Sequence, residues 1–166
     1  MKLPISNSSA LRYALAGALL VTLSSPAWAV LGDSAASVLS DQARMKGTLR
    51  SVDHRTYVLH EITMTSGGKV REFVSPAGAV FGVAWEGPSP PNFQHLLGPY
   101  YQQAQQAAAQ EKSGQAAGEQ QPRRRGPVVI DTPGLVFVHS GHSRSFHGQA
   151  YIPQLIPQGV QPGDIR

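Results

Sequence analysis

The sequence predicts an α+β domain. It would be a mainly antiparallel sheet built on a three-strand meander (about Tyr57–Trp85), with a helix (about Phe93–Gln110) packed on it and C-terminal strands extending it. Three observations lead there. The stretch YVLHEITMTSGGKVREFVSPAGAVFGVAWEGP, Tyr57 to Pro88, holds three apolar-rich segments joined by two short glycine-containing turns. Phe93, Leu96, Leu97, Tyr100, Tyr101 and Ala104 recur at helical spacing. Most of the aromatic residues sit in or beside the meander, which places the core there; 166 residues with 41% hydrophobic content suffice for one modest core.

The chain begins with an export signal. Met1–Arg12 is polar and basic, Tyr13–Leu23 (YALAGALLVTL) is apolar, and Ala27-Trp28-Ala29 supplies the small residues that a signal peptidase needs. The apolar run is too short to span a bilayer comfortably. The expected organisation is a signal peptide at 1–29, cut after Ala29, then a single domain at 30–166. The protein is expected in the periplasm or secreted, with no transmembrane segment after cleavage.

From Val30 to Gly47 the pattern predicts a short peripheral helix, capped by Asp33 or Ser34 and stopped by Gly47. Leu49 and Val52 suggest a weak first strand, and Asp53-His54-Arg55 a turn. In the meander, Gly67-Gly68 suits a tight primed turn. That register sets Ile62 opposite Phe73 and Glu61 opposite Val74, and Pro76-Ala77-Gly78 closes a second hairpin with Phe73 opposite Phe81. One face then carries Val58, His60, Ile62, Met64, Phe73, Phe81, Val83 and Trp85. The other carries Tyr57, Leu59, Val70, Val74, Val80 and Ala84 with Glu61, Thr63 and Glu72. The prolines at 88, 90 and 91 cannot continue a strand. Asn92 offers an N-cap to the following helix, which Gly98-Pro99 should break in two. A low-complexity linker follows at about 111–126. Short strands are expected at Val128–Ile130, Leu135–Ser140 and Arg144–Tyr151, and an extended proline-containing arm from Ile152.

Composition excludes several chemistries. There is no cysteine, so thiol catalysis, thiolate metal sites and disulfides are out. The formal charge is +4, but Lys2 and Arg12 belong to the signal, which leaves twelve basic residues against ten acidic. Three of the twelve are the run Arg123–Arg125, read as a solvated linker. No basic face with interleaved aromatics points to nucleic acid. The chain has no P-loop, dinucleotide fingerprint, zincin helix or complete nucleophile elbow.

The strings VREFVSPAGAVFGVAWEGP (Val70–Pro88), LLGPYY (Leu96–Tyr101) and IDTPGLVFVHSGHSRSFHGQAYIPQLIP (Ile130–Pro157) resemble the DUF2844 family of small exported bacterial proteins. The resemblance covers most of the mature chain in the same motif order. It implies an exported protein of unknown function and transfers no catalytic residue.

Two groups of residues are candidates for chemistry. His139, His142 and His147 lie close in sequence, and a tight hairpin could bring their imidazoles onto a zinc or copper ion. His139 and His147 need not face the same side and no fixed metal motif matches, so ordinary polar residues on a strand pair are the plainer explanation. Glu61 and Glu72, placed on one sheet face, and Arg144 are candidate binding residues; paired carboxylates can run acid/base chemistry, while Lys69 and Arg71 nearby favour a solvated face. The expectation is a non-catalytic envelope accessory or binding protein with no cofactor, whose partner is another envelope or secreted macromolecule. The alternative is a metal-binding protein or hydrolase using the C-terminal histidines.

Overall fold

A computed structural model describes residues 31–115 and 126–166. The expected signal peptide with its expected cut site, and Arg123–Arg125, lie outside the described residues. Seven strands form one antiparallel sheet: β1 (Thr48–Asp53), β2 (Val58–Thr63), β3 (Lys69–Val74), β4 (Val80–Gly87), β5 (Val128–Thr132), β6 (Leu135–His142) and β7 (Ser145–Tyr151). Their spatial order is β1-β2-β3-β4-β7-β6-β5. The last hairpins therefore extend the meander through β7 lying on β4, as the sequence predicts.

Three helices lie against one face of this sheet. They are α1 (Ser37–Met45), α2 (Phe93–Leu97) and α3 (Tyr100–Gln115). Asn92 caps α2 by accepting from the His95 amide at 3.1 Å, and Gly98-Pro99 divides α2 from α3 as expected. Val38, Leu96, Leu97 and Ala104 pack on Val70, Val74, Val80, Val83, Trp85, Phe137 and Ala150, which makes the larger core. The smaller core is on the opposite face. There the C-terminal segment folds back, and Val160 and Ile165 cover Phe73, Phe81 and Ala84. That segment is not an extended arm. Two short 3₁₀ turns, Pro153–Leu155 and Pro162–Asp164, bend it across the sheet, because burying its isoleucines removes apolar surface from water.

The meander's register differs from the expected one. Ile62 stands opposite Val70, Glu61 opposite Arg71, and Leu59 opposite Phe73. The turn is the cause. Gly67 alone has a positive φ, +85°, and its amide bonds the Met64 carbonyl at 3.0 Å. The loop therefore closes on Thr65-Ser66-Gly67, a type I turn followed by a left-handed residue, and not on Gly67-Gly68. A shift of this odd size turns every β3 side chain to the other face. Val70, Glu72 and Val74 join Trp85 under the helices, and Phe73 joins Phe81 under the C-terminal segment. The second hairpin adds a bulge: Phe73 faces Gly82, Val74 faces Val80, and Phe81 is the extra residue, its ring 6.1 Å from that of Phe73.

Two further boundaries move. α1 starts from Ala36 with no side-chain cap, and its left-handed terminal residue is Lys46, not Gly47. α3 continues through Gln115, into the stretch expected to be linker; residues 116–125 lie outside the described residues.

Candidate functional site

The register of β3 fixes what lies beneath the helices. Val70, Glu72 and Val74 alternate on the inner face, so a carboxyl group occupies an apolar row. Across the sheet Glu72 stands between His60 of β2 and Val83 of β4. It is 1% exposed, and neither carboxyl oxygen has a hydrogen-bond partner. Above it lies Asp41 of α1, 0% exposed, placed inward by the same helical face that buries Ser37 and Val38. His95 of α2 completes the group. Its Nε2–H donates to Asp41 Oδ1 at 2.9 Å, while Asp41 Oδ2 is unpaired.

Burial dominates the electrostatics. Together with the neighbouring Asp41 carboxyl, which acts in the same sense, it raises the Glu72 pKa to about 8. Burial also raises the Asp41 pKa, opposed by its bond to His95. Two carboxyls taken out of water cannot both ionise cheaply. At neutral pH the pair therefore keeps a proton, held on Glu72. His60 is lowered by burial, and its Nδ1 lies 2.7 Å from Ser51 Oγ.

His95 also faces outward. A cleft of about 620 Å³ opens between the end of α1 and α2. Its floor is Met45, Met64, Val70 and Leu96, and its rim carries Arg44, Asn92, Gln94 and His95. A second cleft, about 390 Å³, lies on the other side of α2 and shares Gln94, His95 and Gly98 with the first. Apart from Met1, every methionine of the chain lies in the larger cleft. The methionine thioether is polarizable and adapts its shape to a partner.

The residues singled out from sequence are placed differently. Glu61 and Glu72 do not share a face. Glu61 points to the opposite side, where Arg71 holds it at 2.9 Å and Lys69 at 3.7 Å; Arg71 also bonds Glu86 at 2.8 Å. Arg144 is exposed at the tip of the β6–β7 hairpin with φ +64°. The three histidines do not converge. His139 faces the helices, and its Nδ1 accepts from the Trp85 indole at 3.3 Å. His147 pairs with Ser140 and Glu86 on the other face, and His142 with Ser145. Among the described residues no three His, Asp or Glu side chains stand close enough to share a metal ion. Sequence reasoning missed Asp41 and His95, and read Glu72 as solvated. One signal was available: in Val70-Arg71-Glu72-Phe73-Val74 the glutamate falls in the valine phase.

The class is thus a seven-stranded antiparallel α+β domain, helices on one face and its own C-terminal segment on the other, with a buried acid pair below an apolar cleft. The chain belongs to the DUF2844 family, described as a protein of unknown function, whose model matches residues 27–165. Comparison with curated proteins and with solved structures returns no match. No helix among the described residues is long and apolar enough to cross a membrane.

Proposed function

We propose that the protein is an exported, non-catalytic accessory protein that uses the α1–α2 cleft to bind another envelope or secreted macromolecule. The cleft itself carries this reading. An apolar floor of Met45, Met64, Val70 and Leu96 within a polar rim is the anatomy of a protein-binding hot spot, where a buried apolar anchor is ringed by groups that exclude water. The volume accommodates one or two large side chains of a partner. The N-terminal signal supports export, and the family match begins at residue 27, beside the expected cut.

Site-specific photo-crosslinking in cells tests this. A photoreactive residue at Gln94, on the rim, should yield a discrete adduct, and the same residue at Val129, exposed on β5, should not. Filling the cleft with Met45→Trp should abolish the Gln94 adduct. Equal adducts from both positions, or turnover of a substrate by protein that forms none, would sink the proposal.

A further inference from the structure

We infer that Glu72, Asp41 and His95 form a proton-dependent latch that fastens α1 to α2 and to the sheet, and that losing the proton releases α1. The inference stands independently of the binding role, although α1 supplies Arg44 and Met45 to the cleft and its release would open one wall.

The geometry carries it. Three buried carboxyl oxygens, Asp41 Oδ2 and both Glu72 oxygens, have no hydrogen-bond partner. Such groups ordinarily cost a protein stability and need an explanation. A single proton on Glu72, donated to Asp41 Oδ2, satisfies an atom on each side. His95 holds the other Asp41 oxygen, so one chain of bonds joins β3, α1 and α2. Without the proton two carboxylates face each other out of water, and the repulsion acts between α1 and the sheet.

α1 is the element that would yield. Its buried residues are Ser37, Val38 and Asp41, so one of the three is the carboxylate itself. Leu39 is 63% exposed and adds little to its attachment. The strands around Glu72 are held by ladders on both sides. The other titratable and charged groups facing the pair do not replace the proton. His60 of β2 has Ser51 at its Nδ1, and burial favours its neutral form. Arg44 of α1 is exposed, and its charge acts on Asp41 from the solvent side. β4 presents only Val83.

The latch has a defined pH window. Buried Glu72 keeps its proton up to about pH 8, whereas a released, solvated carboxyl gives it up near 4.5. Between those limits the opening equilibrium of α1 should rise up to about tenfold per pH unit and then level off. Amide exchange, corrected for intrinsic rates, reads this directly. From pH 5.5 to 7.5 the opening constant of the Ser37–Met45 amides should rise up to about a hundredfold, and at every pH it should stay well above that of the β3 and β4 amides, which open only with the whole domain. In Glu72→Gln, which keeps the shape and removes the charge, it should stay flat. Equal pH dependence in both proteins, or α1 and the sheet opening with the same constant, would overturn the latch. A carboxyl ¹³C titration gives an independent reading: the Glu72 midpoint should lie near 8 and fall in Asp41→Asn. A wild-type midpoint near 4.5 overturns the proposal whatever the exchange shows.

Discussion

The most exacting structural prediction concerns Gly148→Ala. Gly148 lies mid-strand in β7, between Trp85 of β4 and His139 of β6. A methyl group there would stand 2.5 Å from Trp85 Cζ2 and 2.8 Å from Cε2, and closer still to the Val138 carbonyl oxygen. Neither neighbour can give way freely. The carbonyl belongs to the ladder, and the indole is packed between Phe93 and Phe137, with ring centroids 5.2 and 5.6 Å away, while its N–H bonds His139. Accommodating the methyl by moving the indole forfeits that bond, leaving a buried donor unsatisfied at about 1–3 kcal/mol. Overpacking adds a similar amount. The expected loss is about 3–5 kcal/mol, a large share of the ~5–15 kcal/mol that holds a typical domain. Denaturant unfolding measures it, and Trp85 fluorescence reports the displaced ring in protein produced from Val30, which lacks the sequence's other tryptophan, Trp28. Gly163→Ala, where nothing lies within 4 Å, is the control and should be near neutral. A Gly148→Ala loss below about 1 kcal/mol with unchanged emission would refute this account of the aromatic row.

Three other outcomes are expected. The folded-state pKa of Glu72 is raised above its unfolded value, so the native state binds more protons between about pH 4.5 and 8. Global stability should therefore fall across that window, by up to about 1.4 kcal/mol per pH unit, and Glu72→Gln should remove the slope and be the more stable protein at pH 8 in urea unfolding. Ile165→Ala, which empties a fully buried position against Gly82 and Phe81, should cost about 2–4 kcal/mol; a thermal melt within error of wild type would show that the C-terminal segment is not part of the core. His139→Ala should cost about 1–3 kcal/mol by orphaning the Trp85 N–H, and His142→Ala almost nothing. Zinc raising the melting temperature of the wild type, but not of these two variants, would revive a metal site at the hairpin.

Local signals account for what was legible. The glycine and proline turns, the Asn92 cap, the break at Gly98-Pro99 and the hairpins of β5, β6 and β7 each depend on a few neighbouring residues, and all lie close to where the sequence puts them. Register was not legible. β3 has apolar residues in both phases, Val70 and Val74 against Phe73, and Gly67-Gly68 fits two turn geometries. The expected register therefore rested on placing the turn at Gly67-Gly68, and it turned β3 to the wrong face although two valines against one phenylalanine favour the other.

The candidate site failed for the same reason. By itself the sequence determined a cysteine-free α+β chain of the DUF2844 family, with its strands, turns and helices in order. Tertiary structure alone decided which side of β3 meets the helices, and that choice turned Glu72 from a solvated surface residue into a buried acid. Asp41 and His95 are 54 positions apart and belong to no motif. They meet because α1 and α2 are both drawn onto the apolar face of the sheet, and hydrophobic burial sets that encounter without regard to sequence separation.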